Sequence, residues 1–290
     1  MKKTSQIKTK FFVKFLLVVL SVILIAAMIV VYWLYSGNLT QNKTKVFNLL
    51  PLPIAKVDGT FIPMRSYVFR QFIASKLLAQ TEPAANKQIL NKLILEAQVE
   101  ALAKRFGVRV ANKELEDSFL LAKNAPGSFR ETSLESFLNN ANLSESNFKE
   151  QVLLPELLLT NLKIWQNSQR NLNEDAYILA DSLIKQLQNG ERMADLASRF
   201  SSDSVEKSIG GDVGFIDPAQ ALPELKEPLF KLQTGEVKIL PSRLGLHIIK
   251  AEDKQGNLTH FSEIFLKNYS FDSWFKTQTQ NFKIKIYFNI

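Results

Sequence analysis

Residues 189–250 leave this chain few folds to choose from. They read NGERMADLASRFSSDSVEKSIGGDVGFIDPAQALPELKEPLFKLQTGEVKILPSRLGLHIIK. Met193, Leu196, Ala197 and Phe200 recur at the spacing of an amphipathic helix. A serine/aspartate turn follows. Then comes a Gly210-Gly211-Asp212 corner, whose glycines admit backbone angles closed to other residues. A second amphipathic segment, a Thr234-Gly235-Glu236 turn and the strand Gly245–Ile249 complete the run.

The chain has 290 residues, enough for one or two domains with real cores. Ile54–Ile62 alternates around Asp58-Gly59, a hairpin signal. Met64 to Trp165 is helical in pattern, with Ile89, Leu90, Leu93, Ile94, Ala97, Leu102 and Phe106 on one stripe. Gly107 stops that helix and Val108–Val110 follows as an extended link. Asn112 opens the next helix, with Leu115, Phe119 and Leu120. Ser144 reads as a helix cap. Val152–Trp165 is strongly apolar, with Pro155 near its start or kinking it. Glu174–Gln188 is amphipathic and ends at Gly190. Lys283–Phe288 alternates like a strand and is expected to return to the Ile54–Ile62 hairpin. A frayed terminus is the other reading.

Phe15–Tyr35 contains no charged residue. As a helix it spans ~30 Å, the thickness of a bilayer core. Tyr32, Trp33 and Tyr35 stand at its far end, where aromatic rings favour the interface. Lys2, Lys3, Lys8, Lys10 and Lys14 precede it. The expectation is an uncleaved single-pass anchor through Phe15–Tyr35, with a cytoplasmic N-terminus and the bulk extracytoplasmic. A cleaved signal peptide is the rival, but this run is longer than the usual ~7–15 apolar residues and lacks a small-residue exit. Five of the +8 net charges are those lysines, and the thin remainder argues against nucleic-acid binding. There is no cysteine, which excludes disulfides, thiolate metal sites and thiol lipidation. Leu50-Pro51-Leu52-Pro53 closes a polar stretch that reads as a spacer.

The run from Asn189 to Lys250 resembles the parvulin family of peptidyl-prolyl cis-trans isomerases. Gly210-Gly211-Asp212-Val213-Gly214 is similar to the family's glycine corner, and Gly245–Ile249 to its Gly-x-His-Ile-Ile strand. The resemblance implies catalytic roles for Asp203, His247 and Ser242. It implies a proline pocket lined by Val213, Phe215, Ala221 and Leu225. Ala221 and Leu225 replace a Met/Phe wall, giving a wider and less aromatic pocket. The family's first strand, with its histidine, is absent ahead of the first helix, where Lys163–Trp165 and the polar Asn167–Asn173 stand. His260–Lys267 resembles that strand, with Glu263 at the histidine position. A permuted strand and an extra hairpin outside the sheet are both open. X-Pro rotation needs an apolar pocket that tolerates a twisted amide, so no metal or cofactor is implied.

The hairpin, the helix LNKLILEAQVEALAKRFGVRVANKELE and NLSESNFKEQVLLPELL together resemble the N-terminal chaperone domain of SurA/PrsA-type foldases. The two resemblances imply an α+β fold laid out as a basic segment 1–14, a transmembrane helix 15–35, a linker 36–52, a helical chaperone domain 53–170, a small antiparallel-sheet parvulin-like domain 171–268 and a tail 269–290 returning to the chaperone domain. The implied function is a membrane-anchored foldase that isomerises X-Pro bonds in unfolded or newly exported polypeptides. The alternative is a holdase whose parvulin domain is catalytically silent. A tethered scaffold for one partner is a third reading.

Overall fold

A computed structural model describes residues 2–36, 40–50, 52–77, 83–125, 133–140, 143–268 and 270–288. Pro51 and Asn142 lie outside them, as do the side chains of Phe15 and the five N-terminal lysines. In chain order the elements begin with α1 (Lys2–Tyr35), α2 (Gln41–Leu49), β1 (Pro53–Val57), β2 (Thr60–Pro63), α3 (Met64–Leu77) and α4 (Pro83–Phe106). They continue with α5 (Asn112–Asn124), α6 (Leu134–Asn140), α7 (Glu145–Phe148), α8 (Leu154–Ser168), α9 (Glu174–Gln188), α10 (Met193–Phe200) and α11 (Ser204–Ser208). The last elements are β3 (Asp212–Ile216), α12 (Pro223–Phe230), β4 (Val237–Pro241), β5 (Gly245–Gln255), β6 (Leu258–Lys267), α13 (Ser270–Thr279) and β7 (Ile284–Ile286). Two compact units emerge: residues 1–97 with 283–290, and residues 98–282. The division falls inside α4. Its reason is that Val99 and Leu102 on the last turns of α4 form a core cluster with Leu162 of α8.

In the first unit, β1 pairs antiparallel with β2 on one side and β7 on the other. Asp58 and Gly59 both take positive φ, 44° and 96°, the geometry of a two-residue primed turn. The Asp58 amide donates to the Lys283 carbonyl at 3.0 Å, and Phe288 is buried. The tail is therefore a third strand of this sheet. Residues 36–52 are not simply a polar spacer. Thr40 caps α2, and Phe47 is fully buried against the rings of Tyr35 and Phe288. Two aromatic contacts outweigh the polarity of that segment's other residues.

Among the described residues, no helix is long and apolar enough to cross a membrane. The single-pass span expected over Phe15–Tyr35 is thus not found there.

In the second unit, a π-helical turn over Lys149–Leu153 leads into α8. Pro155 at the start of α8 has no N–H to donate, which suits the changed hydrogen-bond register there. Ser144 accepts from the Asn147 amide at 3.1 Å, the cap read from sequence. Trp165 stacks on Phe106 with centroids 4.3 Å apart, and Trp274 of α13 leans on both rings.

The unit's sheet has the order β3-β6-β5-β4, antiparallel throughout. β6 is an interior strand, so residues 260–267 are not an extra hairpin outside the sheet. Lys163–Trp165 lies within α8, and Arg170–Leu172 forms a single 3-10 turn. One sheet face, with Leu246, Ile248, Ile264 and Leu266, packs on Leu183 of α9 and Leu196 of α10. The other, with Ile249, Ala251 and Phe261, packs on Leu225 and Leu229 of α12. Past the end of β3, the free edge of β6 is closed by serines: Ser201 Oγ accepts from the Phe265 amide and Ser202 Oγ from the Lys267 amide.

Candidate functional site

Strand alternation puts His247 on the α12 face with Ile249 and Ala251. Across the β5–β6 ladder, His247 is paired with Phe265 and Ile249 with Glu263. Glu263 therefore points to the same face as His247, two residues from its partner position. Its Oε1 is in hydrogen-bond contact with His247 Nδ1, and Ser242 Oγ lies 2.7 Å from His247 Nε2. The Phe265 ring covers the imidazole at 4.8 Å.

The hydrogen directions follow from the partners. Ser242 Oγ already accepts from the Leu244 amide at 3.0 Å, leaving its own hydrogen for Nε2. A carboxylate at Nδ1 calls for a hydrogen there. We assign the Nδ1–H tautomer on that basis. The main chain of Ser242 is fixed as well: its amide donates to the Gly245 carbonyl at 2.9 Å, and its carbonyl accepts from Asn167 Nδ2 at 2.6 Å. A serine–histidine–carboxylate chain is also the layout of acyl-transfer relays. Ser242 is wholly buried, however, and so offers no nucleophile to a carbonyl carbon. Both imidazole nitrogens are spent inside the protein.

Glu206 on α11 lies within electrostatic reach of Glu263 and His247. Ser201 Oγ donates to its Oε2 at 2.6 Å. Burial pushes its carboxyl up to about 7, and the neighbouring Glu263 charge adds to that, against the Ser201 hydrogen bond. Helix α11 and strand β6 meet through Gly211, whose amide donates to the Glu206 carbonyl at 2.7 Å and whose carbonyl accepts from the Glu263 amide at 2.8 Å.

The structure thus brings Ser242, His247 and Glu263 together. Val213 and Ala221 are half-buried against the α12-face cluster, and Leu225 is buried within it. Phe215 stands apart from that group. It is exposed, its ring 5.0 Å from His260, which in turn bonds Asp212 at 2.6 Å. Asp203 serves as the cap of α11, its Oδ1 accepting from the Val205 and Glu206 amides at 2.8 and 3.0 Å. That carboxylate is spent on backbone amides, as an aspartate at a helix start commonly is. The Asp203 amide itself donates to Ser201 Oγ at 3.4 Å. Sequence reading missed Glu206, Ser201 and Asn167. Asp203-Ser-Val-Glu206 looks like an ordinary capped helix start, and Asn167 sits in a polar stretch with no motif.

A family model described as a SurA-like N-terminal domain matches residues 2–162, more than half of the chain. The chain belongs to that family. A model described as a PPIC-type PPIASE domain matches residues 138–255, so the SurA-like chain also carries a peptidyl-prolyl isomerase domain. That match stops at the end of β5 and omits β6, the strand that carries Glu263. The chain is 27% identical over 190 residues to Foldase protein PrsA 1 of Lactobacillus johnsonii, across 58% of this chain and 61% of that one. It is 26% identical over 172 residues to Foldase protein PrsA of Caldanaerobacter subterraneus subsp. tengcongensis, across 57% and 56%. The chain thus spans about six-tenths of the length of these relatives. The crystal structure of peptidylprolyl isomerase (PrsA) from Bacillus anthracis aligns at 21% identity, over 67% of this chain and 86% of that one, with a TM-score of 0.24. That score is too low to carry an argument.

Proposed function

We propose that this chain is a membrane-attached extracytoplasmic foldase that accelerates cis-trans isomerisation of X-Pro bonds in unfolded or newly exported polypeptides. The observation that carries the reading is the Ser242–His247–Glu263 chain on the same sheet face as Val213, Ala221 and Leu225. Rotating a peptide bond breaks no covalent bond, but its barrier of ~18–20 kcal/mol reflects lost conjugation. A twisted amide is less dipolar than a planar one. A dry, apolar surface held by an internally satisfied polar network therefore favours the twisted form. β6 takes, from the other end of the domain, the place of the family's first strand, and Glu263 takes the part of its histidine. The extracytoplasmic, membrane-attached part of the reading rests on the charge-free Phe15–Tyr35 run and the lysines before it, and on apolar side chains such as Ile23 and Met28, 60% and 62% exposed. Leaving such surface in water costs ~25 cal/mol per Å2, so a lipid bilayer is its natural cover.

A second reading, a holdase without isomerase activity, draws on Leu225. It is 4% exposed and locked in the core cluster, so it does not line an open pocket. The deciding experiment uses the full chain in detergent micelles and NMR exchange on short X-Pro peptides with varied preceding residues. Acceleration that is lost in His247→Ala supports the enzyme. No acceleration with any peptide, together with suppressed aggregation of an unfolded client, makes the holdase the function.

A further inference from the structure

The junction between α8, α9 and the end of β6 is built from buried amides. Gln166, Asn167 and Asn173 are 0%, 2% and 8% exposed. Asn268, just after β6, donates from Nδ2 to Gln166 Oε1 at 3.0 Å and to Asn173 Oδ1 at 2.8 Å, and also contacts Asn167 Oδ1. Tyr177 donates its hydroxyl to the Asn167 carbonyl at 3.1 Å. Most of these bonds tie the junction to itself. Gln166 and Asn173 also bond Ser270 of α13, and the Asn167 Nδ2 bond to the Ser242 carbonyl, 2.6 Å long, leads to the sheet.

That bond ends on the residue whose hydroxyl faces His247. Ser242 lies between β4 and β5, where Pro241 has no amide to donate and the chain turns through Arg243 and Leu244. Its carbonyl points away from the β4–β5 ladder and toward α8. Apart from this carbonyl, Ser242 is held by two contacts within its own turn, to Gly245 and Leu244, and by His247. Asn167 is its one tie to the helical layer among those bonds. A buried carbonyl without its donor costs ~1–3 kcal/mol, enough to let the turn rotate toward another partner.

We propose that Asn167 is a positioning residue of the isomerase site: it fixes the Ser242 carbonyl and so holds the hydroxyl on His247 Nε2. The proposal rests on the isomerase reading of this site, but its first readout does not depend on activity. Among the described residues the Asn167 side chain hydrogen-bonds to Ser242 and not to His247.

The test compares Asn167→Ala, Asn167→Asp and Asn173→Ala in the full chain with 15N-labelled histidine. Asn167→Asp keeps the acceptor for Asn268 and loses the donor to Ser242. Asn173→Ala weakens the same junction without touching Ser242. With no substrate present, the imidazole nitrogen signals of His247 should report a fixed Nδ1–H tautomer in the parent and in Asn173→Ala. They should move toward a mixture of tautomers in both Asn167 variants. Where turnover is measurable, kcat should fall about tenfold in the Asn167 variants with KM unchanged. If Asn167→Ala does not fold, Asn167→Asp decides. Unchanged His247 signals in a folded Asn167 variant, or an equal change in Asn173→Ala, would overturn the proposal and leave Asn167 a structural residue of the junction. A chain that proves inactive but shows the tautomer change only in the Asn167 variants would uphold the positioning role while ending the isomerase reading.

Discussion

Ser242 Oγ and His247 Nε2 stand 2.7 Å apart inside the sheet, with Glu263 closing the far side of the imidazole. The two residues are five apart in sequence and face each other because β4 and β5 are joined by a tight turn. Glu263 comes from the next strand. Three residues from three places therefore form one chain with no nitrogen left for solvent. Such a network, fully satisfied, specifies one arrangement of the surface above it.

Removing the pieces should have graded effects. Ser242→Ala loses a neutral hydrogen bond, ~0.5–1.5 kcal/mol, and should lower isomerase turnover roughly threefold to tenfold. Glu263→Gln keeps an acceptor for Nδ1–H and loses the charge, so it should fall in the same range. His247→Ala strands Glu263 without its partner and should cost more than either. Peptide exchange rates for the three variants, beside binding of an unfolded client, check this. Equal rates in all three and in the parent would remove the chain from the site.

Gly211 should tolerate no side chain. Its φ is +72°, and a Cβ there would lie 2.3 Å from the Glu263 carbonyl oxygen and 2.7 Å from Ala197 Cβ. Both neighbours are fixed, one by the β6 backbone and one by the α10 core. Gly211→Val combines left-handed strain with a backbone clash, and should cost ~3 kcal/mol or more. The expected result is loss of the cooperative unfolding transition of residues 98–282 in denaturant, not a folded but inactive protein.

Much of this was legible in the sequence, for identifiable reasons. The Asp58-Gly59 turn, the Ser144 cap and helix α9 follow from local chemistry that tertiary contacts did not override. His247 and Gly211 could be placed because a glycine corner and an apolar strand have fixed spacing. A carboxylate beside a reacting amide and one capping a helix look alike in sequence, and the structure shows the cap at Asp203. The segment around α2 was taken for a spacer because Phe47 finds its aromatic partners only when the chain end, with Phe288, returns. Glu206 and Asn167 were invisible. Nothing local distinguishes a glutamate buried against Glu263 or an asparagine aimed at a distant carbonyl from ordinary surface residues.

Asp203→Ala is expected to be a stability variant. It removes the acceptor for two amides of α11, and losing such a cap costs ~0.5–2 kcal/mol. Urea unfolding should show a lower midpoint with an unchanged slope, while turnover at saturating peptide stays within about twofold of the parent. A loss of turnover as large as that of His247→Ala, at unchanged stability, would restore Asp203 to the reacting site.

The Glu206 carboxyl carries a pH dependence of stability. Its folded value of about 7 lies above its ordinary 4.5, because burial and the Glu263 charge both penalise the anion. Between those values the folded chain holds a proton that the unfolded chain has released. Its contribution therefore falls as pH rises from about 4.5 to about 7 and is level on either side. Glu206→Gln keeps an acceptor for the Ser201 hydroxyl and never ionises. At pH 8 it should be more stable than the parent by on the order of 1 kcal/mol, reduced from the full shift because the side chain is only partly buried. Near pH 4.5 the two proteins should unfold at the same denaturant concentration. A variant less stable than the parent at pH 8 would mean that the Glu206 anion is stabilised in the fold, and that its proximity to Glu263 is offset by a partner stronger than Ser201.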